Sequence, residues 1–156
     1  MDSHARLVAH LEATGARFRI VEHAAEGRSE QISVIRGNHP SQALKAIVVA
    51  LKGGESEFAL AVLPGDRRCD FAALAAVFSA KKARFAAPED AQRLTGCVMG
   101  AVPPFTFDAA LPLVADPVIQ ANDEVVFNAG RLDRSIFMAL ADYLRAASPK
   151  LLTFAA

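Results

Sequence analysis

Cysteine is scarce in this 156-residue chain: Cys69 and Cys97 are the only two, and they lack CxxC spacing. A disulfide framework is thereby excluded. No apolar run approaches the ~20 residues that cross a bilayer. The longest, 71–78, is cut short by Ser79 and Lys81. The opening Met1-Asp2-Ser3-His4-Ala5-Arg6 has no apolar stretch of the kind a secretory signal needs. The expectation is a soluble, cytoplasmic protein with reduced thiols. An excess of one charge sign is also missing. Lys plus Arg number 17 and Asp plus Glu number 17, for a net charge of zero. That balance excludes a protein that holds nucleic acid by bulk charge, though not one with a local basic patch.

The common catalytic signatures are absent as well. There is no Gly-x-Ser-x-Gly elbow, no phosphate-binding Walker loop, no Gly-x-Gly-x-x-Gly and no His-Glu-x-x-His. The histidines, His4, His10, His23 and His39, are not spaced as helical metal pairs, so no metal site is expected. Cys97 follows a glycine but has no histidine near it in sequence, and both cysteines read as small buried residues.

What is present is a globular composition, 53% apolar and 22% charged, of a length that suits one domain over 1–156. Leu7, Val8 and Leu11 share one face of a helix over 2–14, closed by Gly15. Phe18, Ile20 and Val21 suggest a strand. Ser29 is a candidate cap for a helix carrying Ile32 and Ile35 and ending at Gly37. Residues 43–51 read as a buried strand, which Gly53-Gly54 turns into a hairpin with 57–63. Asp70 and Pro88 start two further helices. Short strands follow at 113–115, 124–128 and 134–138, and a last helix over 139–147 stops before Pro149. The later connections are too short for crossover helices. The pattern therefore predicts antiparallel pairing and an α+β architecture around one sheet or partial barrel.

Lys45 interrupts the apolar strand and, at period two, shares a face with Ile47, Val49 and Leu51. Its ammonium needs an anion, a carbonyl or the mouth of a cavity, or else it snorkels to water from the strand end. A second feature is the loop Gly100-Ala101-Val102-Pro103-Pro104, whose backbone amides can face a carbonyl or carboxylate, or form a rigid turn. In a third, Asn128, Gly130 and Ser135 flank a turn, either directed into a site or simply forming the turn. Arg67-Arg68, Lys81-Lys82 with Arg84, and Arg131 with Arg134 are local basic groups, suited to a few phosphates or to a solvated face.

In order, the stretches Ser29-Glu30 to Gly37, Gln42-Ala43-Leu44-Lys45, Ala80-Lys81-Lys82, Leu94-Thr95-Gly96-Cys97, Gly100-x-x-x-Pro104, Asn128-Ala129-Gly130 and Asp142-Tyr143-Leu144 run through nearly the whole chain. Together they resemble the YbaK/prolyl-tRNA-synthetase-associated domain family, the trans-editing aminoacyl-tRNA deacylases. The YeaK type is nearest in pattern, through Leu-Val-Ala-Asp-Pro at 113–117 and Phe-Asn-Ala-Gly at 127–130. The resemblance implies a mixed, largely antiparallel, barrel-like sheet flanked by helices, and hydrolysis of the ester joining a wrong amino acid to tRNA without a metal or other cofactor. It makes Lys45 the catalytic residue and puts the amides of Gly100, Ala101 and Val102 against the aminoacyl group. Asn128 begins the family's third pocket segment, and Ser135 falls near where some relatives carry an Asp.

The mischarged 3′ end of tRNA is the implied partner, with a synthetase or an elongation factor assisting and no membrane involved. Lys81, Lys82, Arg84 and Arg131 are the candidate tRNA contacts. Ala46 and Asn128 stand where alanine-specific relatives carry Asn and His, so serine or threonine is favoured over alanine. No general base stands out, which fits relatives that use a tRNA hydroxyl. The competing reading is a non-catalytic module that binds tRNA ends or a synthetase.

Overall fold

The computed structural model describes residues 1–156. Two sheets face each other. The smaller has three strands in the order β1 (Phe18–Glu22), β7 (Arg134–Ala139) and β6 (Glu124–Arg131), all antiparallel. The larger has five, in the order β4 (Lys82–Phe85), β2 (Leu44–Lys52), β3 (Phe58–Pro64), β5 (Leu113–Ala115) and β8 (Lys150–Leu151). Antiparallel pairing dominates, as expected, but β5 joins β3 in parallel and β8 joins β5 in parallel. The barrel-like description is loose: the sheets stay open and meet through one parallel bridge, Ala43 to Val126.

Burial on both faces explains why β3 is a continuous apolar run. Leu60 and Val62 point into a core shared with Leu7 and Leu11 of α1 (Ser3–Ala13), Phe127 and Ile136 of the small sheet, and Tyr143 of α5 (Leu140–Ala147). Ala59, Ala61 and Leu63 point the other way, toward Leu74 of α3 (Phe71–Val77) and Phe154 of the C-terminal tail. Helix α2 (Ser29–Arg36) and helix α4 (Pro88–Thr95) end at Gly37 and Gly96 in the left-handed conformation, at φ +74° and +71°. Ser29 is the first helical residue rather than the cap. Arg28 occupies that position and makes no side-chain capping bond.

One consequence of the register builds the site. The Leu51 amide donates to the Glu57 carbonyl, so odd-numbered residues of β2 bond toward β3. The Ala86 amide donates to the Val48 carbonyl, so even-numbered residues bond the other way. Strand β4 pairs only from Val49 onward. The N–H and C=O of Ala46 are therefore left at an open sheet edge.

Candidate functional site

That open edge borders a cavity of 530 Å³. Its walls are Lys45, Ala46 and Ile47 of β2, Ile32 and Arg36 of α2, Phe85 and Ala86 at the end of β4, and the Met99–Gly100 turn with Val102. No Asp or Glu lines it. A buried edge peptide normally finds a strand. Here Ala46 presents one donor and one acceptor to the cavity instead.

Of the residues singled out in the sequence, Lys45, Gly100, Val102 and Asn128 line the cavity. Ala101, Pro103, Pro104, Gly130 and Ser135 do not. The Ala101 amide is already engaged by the Val98 carbonyl at 3.1 Å, and the Ala101 carbonyl accepts the Gly130 amide at 2.9 Å. Pro104 offers its carbonyl to the buried Tyr143 hydroxyl at 2.8 Å. Pro103 faces a small cleft beside α1, and Gly130 packs against the start of that helix. The amides of Gly100 and Val102 make no hydrogen bond within the protein.

Gly100 is held at φ +86°, and a Cβ there would meet the Gly27 Cα at 2.7 Å. Both the dihedral and the contact demand glycine. Gly100→Ala is expected to destabilise the protein by about 1–3 kcal/mol and to displace the loop. Urea denaturation together with an activity assay checks this, and an unchanged midpoint would contradict it.

Lys45 meets a carbonyl, one of the options open to it. Its stem lines the cavity and its ammonium donates to the Arg67 main-chain oxygen. Burial pushes its pKa below the ordinary lysine value; nearby Asp66 opposes the shift, and Arg68 adds to it.

Asn128 ties three segments together. Its Nδ2 donates to the carbonyls of Glu26, at 3.2 Å, and Gly100, at 2.7 Å, while its Oδ1 accepts from Arg36 Nη1 at 3.2 Å. Ser135 is fully buried behind it, 2.7 Å from His23 Nε2. Cys97 lines the cavity, but its thiol points at the Thr95 carbonyl. Burial pushes the Cys69 thiol up to about 11, which leaves it protonated at neutral pH.

The basic groups divide. Lys82 and Arg84 of β4 join Lys52 and Arg93 around a second hollow whose one acid is Glu57. Lys81 is exposed just before β4. Arg131 is held by Asp133 through contacts of 2.9 and 3.1 Å and is not a free cation.

Sequence reading missed Arg36 and Phe85 as site residues, and marked Ala46 only through the family resemblance, not for its backbone. At the end of α2, Arg36 looks like a charge placed to suit the helix dipole. An alanine advertises nothing, because its contribution here comes from the backbone. Phe85 resembles any strand aromatic, yet it is 63% exposed at the cavity rim.

Residues 23–146 match the model of the aminoacyl-tRNA editing domain. The chain is 46% identical over 154 residues to the Escherichia coli K12 protein named multifunctional Ser/Thr-tRNA deacylase ProXp-y, covering 97% of this chain and 92% of that one. Its counterpart from Escherichia coli O157:H7 matches equally well. The fold is shared with the solved structure of a proposed trans-editing enzyme for prolyl tRNA synthetase, at a TM-score of 0.83 and 24% identity, covering 100% of this chain and 99% of that one. A hypothetical protein of solved structure superposes with a TM-score of 0.86 at 19% identity, covering 97% and 99%. No helix of this chain is long and apolar enough to cross a membrane.

Proposed function

The chain belongs to the aminoacyl-tRNA editing domain family, and from that premise we propose that it removes serine and threonine from tRNAs that should not carry them. The observation that carries this reading is the cavity itself, which joins an open strand edge and unclaimed loop amides to two cations, with no carboxylate. A cationic amino group suits the Ala46 carbonyl. The ester carbonyl suits the Gly100 and Val102 amides. The volume exceeds what a small aminoacyl group needs and leaves room for the ribose that bears it.

In the reaction, a water oxygen bonds to the ester carbon as the carbonyl electron pair moves onto oxygen, and the water gives up a proton to solvent. The tetrahedral adduct then re-forms the carbonyl and breaks its bond to the ribose oxygen, which takes up a proton. Amino acid and free tRNA leave. An ester needs only placement and oxyanion stabilisation for this.

Lys45 is the proposed contact for a backbone phosphate near the 3′ end, with Lys81, Lys82 and Arg84 following the strand further along. The near-neutral whole then grips only the acylated terminus, which suits a cytoplasmic enzyme assisted by a synthetase or an elongation factor. One editing domain over 1–156 suffices for this chemistry.

The test is a panel of tRNAs acylated with serine, threonine or alanine, with release of the labelled amino acid followed over time. Faster release of serine and threonine than of alanine supports the proposal. Binding without release would make the chain a non-catalytic module for tRNA ends.

Phe85 adds a second measurement. It stands edge-to-face against Phe71, with centroids 5.0 Å apart, and its other side is open. An exposed ring beside basic residues is a stacking platform for an unpaired base. Phe85→Ala is expected to raise KM about tenfold, with kcat within about twofold, since base stacking is worth ~1–3 kcal/mol. An unchanged KM would remove Phe85 from the binding surface.

A further inference from the structure

Hydrogen-bond accounting around the cavity separates the groups that can touch substrate from those that cannot. Both Nδ2 hydrogens of Asn128 are engaged by the carbonyls of Glu26 and Gly100. Its Oδ1 has Arg36 Nη1 and Ser135 Oγ, each at 3.2 Å. Ser135 Oγ is surrounded by His23 Nε2 at 2.7 Å, Arg36 Nη1 at 3.0 Å and Asn128. His23 places Nδ1 on its neighbour's carbonyl, that of Ala24, at 2.8 Å, and turns Nε2 to Ser135 Oγ, whose own proton goes to Asn128 Oδ1. Neither Asn128 nor Ser135 has capacity left for a ligand.

Arg36 does have capacity. Nε donates to Asn38 Oδ1 at 3.0 Å, and Nη1 is shared between Asn128 and Ser135. Nη2 has no partner, and no carboxylate lies within ion-pair distance of the guanidinium. Burial lowers its pKa to about 10, so it remains charged at neutral pH. A guanidinium that is desolvated, held by three neutral side chains and lacking a counter-ion, is a receptor for negative charge supplied from outside the protein. It also stands next to the turn whose Gly100 and Val102 amides are free, because Asn128 bridges Arg36 to the Gly100 carbonyl.

Given the deacylase reading, we infer that Arg36 is a catalytic residue: its free Nη2 edge, together with the loop amides, binds the oxygen on which negative charge develops as the ester carbon becomes tetrahedral. Asn128, Ser135 and His23 are positioning residues that hold the guanidinium at that point. Arg36 gains most where the oxygen is charged, so its effect falls on the chemical step and is the same for every amino acid carried.

The experiment acylates one tRNA in turn with serine, threonine and alanine, and measures kcat and KM for the wild type, Arg36→Gln and Arg36→Lys, with thermal melting as a folding control. Arg36→Gln is expected to lower kcat roughly 100-fold for all three amino acids, with KM within about twofold. Arg36→Lys, which keeps the charge but loses the planar fork, recovers part of that loss. Should the glutamine variant not fold, a folded lysine variant with a uniform tenfold loss in kcat serves as the same test.

Full kcat in a folded variant overturns the inference. So does a loss confined to KM, which would assign Arg36 to a phosphate. A loss confined to serine and threonine also overturns it, because Arg36 would then read the substrate hydroxyl. A wild-type protein that releases none of the three amino acids would refute the deacylase reading itself, a result separable from any of these.

Discussion

Lys45→Ala is expected to lose most of the deacylation rate at sub-saturating tRNA, roughly 10- to 100-fold in kcat/KM. That is the equivalent of ~1.5–3 kcal/mol for a charge-assisted contact. Two observations set the direction of the effect. The lysine stem lines the cavity, so its ammonium can turn into the cavity mouth from the Arg67 carbonyl it now occupies. That carbonyl is a neutral acceptor, and a phosphate oxygen is a better one. The loss should appear mainly in KM, and the salt dependence of KM should become shallower by about one phosphate contact.

The pH profile gives an independent check. Burial lowers the Lys45 pKa, and a lowered pKa means that the charge disappears as pH rises through it. KM of the wild type should therefore rise on the alkaline side below the ordinary lysine range, and Lys45→Ala should lack that rise, keeping only the fall in kcat that follows loss of the Arg36 charge at about 10. Full activity in a folded Lys45→Ala protein would remove the lysine from the site. A fall in kcat alone would move it to the tetrahedral intermediate, in competition with Arg36.

Much of the fold is legible because apolar periodicity and turn residues agree. Leu7 and Leu11 on α1, the hairpin of β2 and β3, and the left-handed Gly37 and Gly96 all lie where side-chain pattern and glycine would put them. The elements that escape are short or paired from afar. Strand β4 reads Lys-Ala-Arg-Phe, a pattern shared with loops, and β8 has two residues. The parallel partner of β3 arrives after a long excursion through α3, β4 and α4, which local spacing does not reveal.

The candidate site divides along the same line. Lys45 stands out because a charge in an apolar strand is costly, and Gly100 because of its loop. Backbone groups such as the Ala46 peptide carry no sequence signal, since the register of neighbouring strands creates them. Asn128 and Ser135 were legible as polar residues near a turn, but only the geometry reveals that their hydrogen bonds are turned inward toward Arg36.

Asp116 shows a motif whose meaning appears only in three dimensions, and it is the site of the largest expected loss of stability. The side chain is 4% exposed. Oδ1 accepts the Val118 amide at 2.8 Å, capping the short turn after β5. Oδ2 accepts two amides of the C-terminal tail, Phe154 at 2.8 Å and Ala155 at 2.7 Å. Those bonds seat the Phe154 ring in the core behind β3 and place its carbonyl to receive the Asp70 amide at the start of α3.

Asp116→Ala strands three amides at once. At ~1–3 kcal/mol for each buried donor left unpaired, and with two of the three only partly buried, the expected loss is about 3–5 kcal/mol. That is a large share of the ~5–15 kcal/mol by which such proteins are stable, and it corresponds to a fall in Tm of about 10 °C or more. Asp116→Asn keeps one oxygen and should cost less than half as much. Urea unfolding of the three proteins at equal slope decides the matter. A loss below about 1 kcal/mol in Asp116→Ala would mean that packing of Phe154 alone retains the tail. Because Asp116 does not line the cavity, the deacylation rate below the melting range should be preserved, so the variant separates tail anchoring from the chemistry of the site.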